Sequence, residues 1–240
     1  MSVDLSKLTK KDAGKLFDYA ILPKDSNEQK VRDGAREAVK YNCAAMYVSS
    51  PFWLPAVVEE LAGSDVLPAA AINFAWGSGT PATKEFETKE AIALGAKAVD
   101  MCLNVGALRD RKLDVVRDEL KRFKGAAGDA LTKGILEMCF LTDDDIKVAC
   151  ELLIETGIDY MKTASGQFEG PSMKQFLVAK EACKGTSVKL KVSGVKFPRP
   201  QNAYAFILAG ADMIGTRAAP EIIDALDDMR AIGLVPAYSL

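Results

Sequence analysis

Two lysines stand where buried strands are expected to end. Lys162 closes the apolar run Ile158–Lys162, Lys191 lies within Val188–Val192, and small, loop-forming residues follow both. A lysine at the carboxyl end of a buried strand is costly to desolvate unless it is paired, so its pKa moves readily. A neutral lysine amine is a nucleophile that forms Schiff bases with carbonyl compounds. These residues therefore point to covalent carbonyl chemistry.

The elements that position these lysines recur along the chain. Eight short apolar segments are each followed by a stretch of helical character, and they begin near Phe17, Ala44, Val66, Ala98, Lys133, Ile158, Val188 and Asp212. This spacing fits one strand, one helix and two short connections. No linker interrupts the pattern, which predicts one (β/α)8 TIM barrel as a single domain over residues 1–240. A doubly wound open sheet is the competing topology.

Helical periodicity is clearest over residues 28–41 and 142–156. Thr142 followed by three aspartates is typical of a capped helix start. Gly157, Gly185 and Gly210 stand where helices should end.

Side-chain alternation predicts which charges point into the barrel. In the strand around Asp100, the alternate residues Val99, Met101 and Leu103 suit a helix-covered face, so Asp100 should point inward. By the same argument, Glu137 should point inward together with Ile135 and Cys139. Active sites of such barrels lie at the carboxyl ends of the strands. We therefore expect Asp100, Glu137, Lys162 and Lys191 to converge there. A satisfied buried network without chemistry is the alternative.

These four groups suggest roles for each lysine. Lys191 beside Lys162 would disfavour protonation of Lys162 and so activate it. Asp100 could then transfer a proton through water or Lys191.

Composition excludes several classes of protein. The chain has no histidine, which removes the commonest general base and zinc ligand, so we do not expect a zinc-dependent aldolase, a serine–histidine hydrolase or a histidine-based isomerase. A net charge of −2 gives no reason to expect nucleic-acid or anionic-membrane binding. The five cysteines are scattered along the chain, as is typical of reduced thiols. No secretory signal or membrane span is apparent. We therefore expect the protein to lie in the cytoplasm.

Five segments resemble motifs of the deoxyribose-phosphate aldolase family, in the family's order and over nearly the whole chain. They are residues 99–108 (VDMCLNVGAL), 133–142 (KGILEMCFLT), 159–166 (DYMKTASG), 188–194 (VKLKVSG) and 209–216 (AGADMIGT). The resemblance implies a class I aldolase on a TIM barrel, with no metal and no cofactor. Lys162 would be the Schiff-base residue, Lys191 would depress its pKa, and Asp100 would assist proton transfer. Members are commonly dimers, so we expect a homodimer.

The resemblance also implies the residues that bind the substrate. Glycine-rich turns after the late strands would hold an anion through backbone N–H groups. The expected substrate-binding residues are Asp18, Asn104, Glu137, Ser165, Gly166, Gly194, Lys196, Gly215, Thr216 and Arg217.

Departures from the family cluster in these recognition segments. A Gly-Gly pair becomes Gly194-Val195, which displaces the basic residue to Lys196, and Arg217 replaces a hydroxyl residue. Lys196 and Arg217 could still clamp an anion; plain surface charge is the alternative. Tyr47 and Trp76 would add bulk to the pocket.

Two further residues have no clear role in the sequence. Lys189 stands where a small residue is usual, and a mobile Tyr238 could reach the site, although a frayed terminus is the simpler expectation.

The default function implied is cleavage of 2-deoxyribose 5-phosphate to acetaldehyde and glyceraldehyde 3-phosphate. An aldolase or transaldolase acting on another anionic sugar (sulfonated, carboxylated or a ketose phosphate) is the first alternative. A non-catalytic sugar-phosphate-binding barrel and a different Schiff-base enzyme, such as a dehydratase, are the others.

Overall fold

The computed structural model describes residues 3–239 of the chain. Eight parallel strands in this range pair in sequence order, and β8 pairs with β1 to close a barrel. The strands are β1 (Phe17–Ile21), β2 (Ala45–Val48), β3 (Leu67–Ile72), β4 (Ala98–Cys102), β5 (Leu131–Ile135), β6 (Tyr160–Lys162), β7 (Lys189–Ser193) and β8 (Met213–Thr216). Each begins within two residues of its predicted position. The predicted TIM barrel is confirmed, and the open sheet is excluded.

Helices connect the strands and cover the outside of the barrel. They are α1 (Lys10–Ala13), α2 (Glu28–Lys40), α3 (Leu54–Glu60), α4 (Pro81–Ala93), α5 (Val105–Arg109), α6 (Leu113–Ala127), α7 (Asp143–Glu155), α8 (Met173–Ala182), α9 (Arg199–Leu208), α10 (Ala219–Asp224) and α11 (Leu226–Ala231). Short 3-10 turns lie at Leu5–Lys7, Gly14–Leu16, Pro51–Trp53 and Met138–Phe140. No helix among residues 3–239 is long and apolar enough to cross a membrane.

The start and end of α7 follow from local chemistry. The Thr142 hydroxyl accepts the N–H of Asp145, and the Asp145 carboxylate accepts the N–H of Thr142, which is the predicted capping box. Gly157 follows the helix with a φ of 70°, a left-handed conformation that a glycine adopts without a Cβ clash.

Two apolar layers lie on opposite faces of the sheet. The larger fills the space between strands and helices and contains Val99, Met101 and Leu103, as the alternation predicted. The smaller lies inside the barrel and is formed by Ala20, Ala45, Tyr47, Ala69 and Ala98. Because most of these inner residues are alanines, they leave room for long charged side chains in the barrel.

Candidate active site

Three lysines and two aspartates fill the centre of the barrel. Lys162 and Lys191 both donate to Asp100 Oδ2, at 2.8 and 2.7 Å. Lys191 Nζ also lies 2.6 Å from Asp18 Oδ2. Lys133 Nζ donates to the same Asp18 oxygen at 2.7 Å and lies 3.9 Å from Asp100 Oδ1. The five side chains thus form one continuous ionic network.

The strands bring these groups to one level. Lys162 on β6 pairs in register with Lys191 on β7, and Asp100 on β4 pairs with Lys133 on β5. All four, with Asp18 on β1, are almost completely buried. A charged group without a partner would be very unstable there, so each carboxylate must serve more than one lysine.

The charges in this network do not balance if every lysine is protonated. Three ammonium groups would face two carboxylates and leave a net positive charge in the barrel. Burial lowers the pKa of Lys162; Asp100 opposes this effect, and neighbouring Lys191 adds to it. Burial likewise lowers the pKa of Lys133, although the negative charge of Asp18 opposes this effect. Loss of a proton from Lys162 or Lys133 would restore the balance.

Lys191 behaves in the opposite way. Burial works against its charge, but Asp100 and Asp18 outweigh burial and raise the pKa of Lys191. Burial alone would raise the pKa of Asp100. The positive charges of Lys162, Lys191 and Lys133 outweigh this effect and hold the pKa well below the ordinary range. The network therefore holds the pKa of Lys191 above the ordinary lysine value and the pKa of Lys162 below it.

Tyr47 forms an aromatic wall beside this network. The centre of its ring lies 4.2 Å from Lys191 Nζ, 4.9 Å from Lys133 Nζ and 5.7 Å from Lys162 Nζ. Its hydroxyl accepts a hydrogen bond from Lys133 at 2.8 Å. Burial and the charges of Asp100 and Asp18 raise the pKa of Tyr47 far above its ordinary value, so the phenol stays protonated. The ring face offers cation–π stabilisation to the ammonium groups.

A cavity of about 450 Å³ opens above the network, at the carboxyl ends of the strands. Of the residues predicted for the site, ten line it: Asp18, Lys162, Ser165, Gly166, Lys191, Gly194, Lys196, Gly215, Thr216 and Arg217. Asp100 lies beneath its floor, hydrogen-bonded to Lys162 and Lys191. A small molecule in the cavity can therefore reach the Lys162 amine.

Besides Asp100, two of the predicted residues lie outside the lining. Asn104 begins α5, where its side-chain oxygen accepts the N–H of Ala107. Glu137 follows β5 and is buried, and both its oxygens accept the N–H of Ser165 at 3.1 Å. Burial raises the pKa of Glu137, partly offset by Ser165. Glu137 thus supports a loop of the cavity and forms no ion pair with the lysines.

The cations at the cavity mouth are not equivalent. Lys196 forms an ion pair with Glu169 at 2.5 Å. Arg217 is exposed and has no ion pair with any residue from 3 to 239. Arg199 also lines the cavity, with its guanidinium 5.1 Å from the Phe197 ring and 3.7 Å from a Glu221 oxygen. Arg217 is the cation with the least competition for an incoming anion.

The site also contains three residues that were not predicted from the sequence: Lys133, Ser193 and Arg199. Lys133 shares an inward face with Ile135 on β5, so alternation alone could have found it. Ser193 shares the face of Lys191, and the same signal applied. Nothing in the sequence distinguishes Arg199 from other surface arginines.

Three other residues noted in the sequence lie outside the cavity lining. Trp76 is 77% exposed and packs edge-on against Phe168 at the rim, without lining the cavity. Lys189 is exposed at the amino end of β7, 5.7 Å from the Tyr160 ring. Tyr238 lies against Arg230, and the adjacent Ser239 N–H donates to the Ser6 carbonyl, so the described tail packs on the N-terminal segment.

The fold and the site place this protein in the class of (β/α)8 barrels that carry a buried lysine amine at the floor of a cavity. Comparisons with known proteins narrow this class. Residues 13–221 match the family model described as DeoC/LacD family aldolase. The chain belongs to that family.

Individual relatives agree with this assignment. Deoxyribose-phosphate aldolase of Clostridium tetani is 37% identical over 211 residues, covering 88% of this chain and 97% of that protein. Deoxyribose-phosphate aldolase of Bacillus cytotoxicus is 39% identical over 210 residues, covering 87% and 93%. Among solved structures, the aldolase QR15 superposes with a TM-score of 0.84 at 28% identity, covering 92% of this chain and 98% of that one.

Proposed function

We propose that this protein is a class I deoxyribose-phosphate aldolase, which cleaves 2-deoxyribose 5-phosphate to acetaldehyde and glyceraldehyde 3-phosphate. The observation that carries the proposal is the position of Lys162: its amine reaches the cavity, while burial and Lys191 hold its pKa below the ordinary value. The family and the named relatives support the same reaction.

The reaction would begin at the Lys162 amine. Neutral Nζ attacks carbon 1 of the open-chain sugar, and loss of water gives an iminium ion. Removal of the proton from the carbon-3 hydroxyl then breaks the bond between carbons 2 and 3, and its electron pair passes to the iminium nitrogen. Glyceraldehyde 3-phosphate leaves, and an enamine remains on Lys162. Protonation at carbon 2 and hydrolysis release acetaldehyde.

Asp100 and Lys191 would move the protons in this sequence. Asp100 holds both amines through one oxygen, so it contacts the nitrogen that becomes the iminium. Lys191, whose pKa is raised by two carboxylates, shares Asp100 Oδ2 with that nitrogen and would act as the acid. The ring of Tyr47 would also stabilise positive charge on Lys162.

The cavity mouth would bind the phosphate. We propose that backbone N–H groups around Gly166, Gly194 and Gly215 form the anion site, with Arg217 as its main cation. Lys196 contributes less because Glu169 neutralises it. We assign supporting roles to Asn104 and Glu137, which hold a helix start and a loop next to the site.

Borohydride trapping tests this function. The protein is incubated with acetaldehyde or with dihydroxyacetone phosphate, reduced, and the adduct located by mass spectrometry. We expect an acetaldehyde adduct on Lys162. An adduct formed only with the ketone would indicate an aldolase or transaldolase for ketose phosphates. Absence of any adduct would favour a non-catalytic binding barrel, and a product that retains every carbon would indicate a dehydratase.

Three wider proposals accompany this one. We propose that residues 1–240 form one catalytic domain, that the protein acts in the cytoplasm, and that it forms a homodimer. Sedimentation velocity tests the dimer, and a single species of 25.8 kDa would contradict it.

A further inference from the structure

The cavity contains a buried hydroxyl group without a partner. Ser193 is 4% exposed and lines the cavity, yet its Oγ has no hydrogen-bond partner among the residues that the structure describes. A buried hydroxyl that makes no hydrogen bond costs about 1–3 kcal/mol. Such a group needs a partner that arrives from outside the chain.

Other unpartnered buried atoms in residues 3–239 have a different setting. Asp18 Oδ1 and Asp100 Oδ1 belong to the ionic network. Ser26, Gln201 and Arg230 also carry such atoms, but none of these residues lines the cavity. Ser193 therefore offers the neutral hydrogen-bonding group that a bound molecule would meet.

The main chain holds Ser193 in place independently of its hydroxyl. Its N–H donates to Thr163 Oγ1 at 3.0 Å, and its carbonyl accepts from the same hydroxyl at 3.1 Å. Gly215 on β8 keeps the space beside it open, because a Cβ there would lie 2.3 Å from Ser193 Oγ and 2.7 Å from Lys191 Cε. The backbone of Ser193 is thus fixed without its hydroxyl, and the absent side chain of Gly215 leaves space beside Oγ.

Its height in the barrel suggests which part of a substrate it meets. Ser193 lies two residues beyond Lys191 on the same face of β7, and Lys191 is in register with Lys162. At about 3.3 Å per residue, Ser193 lies roughly 6.6 Å beyond Lys191 along β7, in the direction of the mouth. The next residue, Gly194, begins the turn assigned above to the anion. Ser193 therefore lies between the amine that takes carbon 1 and the site that takes the phosphate on carbon 5.

We propose that Ser193 is a substrate-binding residue that hydrogen-bonds the carbon-4 hydroxyl of the sugar phosphate. This hydroxyl is the 2-hydroxyl of the aldehyde released on cleavage, and the inference rests on the proposed aldolase function. Ser193 would make the enzyme selective for 2-hydroxyaldehydes, since a site built to bind a hydroxyl discriminates against an analogue that lacks it.

The test runs the reaction towards synthesis, with acetaldehyde as donor and two acceptors that differ by one hydroxyl. These are D-glyceraldehyde 3-phosphate and 3-oxopropyl phosphate. In Ser193→Ala, we expect kcat/KM for glyceraldehyde 3-phosphate to fall about tenfold, the size of one neutral hydrogen bond, and that for 3-oxopropyl phosphate to change less than about twofold. The matched control Ser26→Ala removes an unpartnered hydroxyl away from the cavity and should change neither value.

Two further measurements keep the result interpretable. Ser193→Cys keeps a side chain of similar size, but its thiol forms only weak hydrogen bonds. This variant should lose the same selectivity even if the alanine variant folds poorly. An acetaldehyde adduct on Lys162 in each variant shows that the amine is intact. An unchanged ratio between the two acceptors in an active variant would overturn the role of Ser193. No adduct and no product with the unaltered protein would instead overturn the proposed function, and this inference with it.

Discussion

Lys162 and Lys191 share one oxygen atom of Asp100, at 2.8 and 2.7 Å. A single carboxylate oxygen cannot neutralise two ammonium groups, and Lys191 has Asp18 as a second anion at 2.6 Å. The competition leaves Lys162 as the weaker base of the pair. Lys162, the proposed nucleophile, is thus the amine that receives the smaller share of the two carboxylates.

Replacement of Lys162 by alanine should abolish turnover and borohydride trapping, because no other cavity-lining amine in residues 3–239 has both burial and a lowered pKa. Circular dichroism should report an intact barrel. Lys189→Ala, at the exposed amino end of β7, is the control and should keep its activity. Trapping that persists in the Lys162 variant would place the Schiff base elsewhere.

Replacement of Lys191 by leucine should raise the pKa of Lys162. The variant removes a neighbouring cation and leaves Asp100 more available to Lys162. Since the neutral amine reacts, kcat/KM rises with pH through the pKa of Lys162, which lies below its ordinary value in the unaltered protein. The rising limb should therefore move to higher pH in the variant. A limb that stays in place would contradict the proposed role of Lys191.

Lys133→Met tests the count of charges. It removes one of three cations and leaves two lysines facing two aspartates, so protonation of Lys162 becomes less costly. The rising limb of kcat/KM should again shift to higher pH, although Lys133 does not line the cavity. A loss of activity at every pH with no shift would indicate that Lys133 acts only in holding the structure.

The sequence predicted the orientation of site residues that lie within strands, and it was less informative for residues beyond the strand ends. Alternation placed Asp100 and both lysines correctly because they lie within strands, where successive side chains point to opposite faces. Glu137 is buried as expected, but its carboxylate accepts the Ser165 N–H instead of an ammonium group. Glu137 lies past the end of β5 with a φ of 53°, so the alternation no longer holds there.

Contacts between distant loops were beyond the sequence for a different reason. Lys196 and Glu169 are separated by 27 positions, and their ion pair depends on how the loops after β6 and β7 approach each other. Spacing along the chain carries no signal for that approach. The unequal status of Lys196 and Arg217 therefore emerged only from the structure.

Arg217→Ala should weaken phosphate recognition. We expect KM for 2-deoxyribose 5-phosphate to rise about tenfold, the scale of one charge-assisted hydrogen bond, with little change for unphosphorylated 2-deoxyribose. Lys196→Ala is the matched comparison and should have a smaller effect, because Glu169 already neutralises that ammonium. Equal losses for both sugars in the Arg217 variant would argue against an anion clamp.

A second buried ion pair should contribute to stability. Lys84 Nζ donates to Glu119 Oε2 at 2.6 Å and to the Cys102 carbonyl at 2.9 Å, and the other Glu119 oxygen accepts the Asn104 N–H. Lys84→Met alone should lower the free energy of unfolding by about 3–5 kcal/mol, because it leaves a buried carboxylate unpaired. The double variant with Glu119→Leu should lose less, measured by urea denaturation. A larger loss in the double variant would contradict this explanation.

Small residues inside the barrel link reactivity to positions that touch no substrate. Ala45, Ala69 and Ala98 belong to the inner layer, where their short side chains leave volume for the lysines and Tyr47. A valine at any of them would crowd the charged groups and alter how the two carboxylates are divided. The pKa of Lys162, the proposed nucleophile, would then change although the lining of the cavity stays the same. Residues that never contact the substrate could in this way tune the pKa of the amine that does.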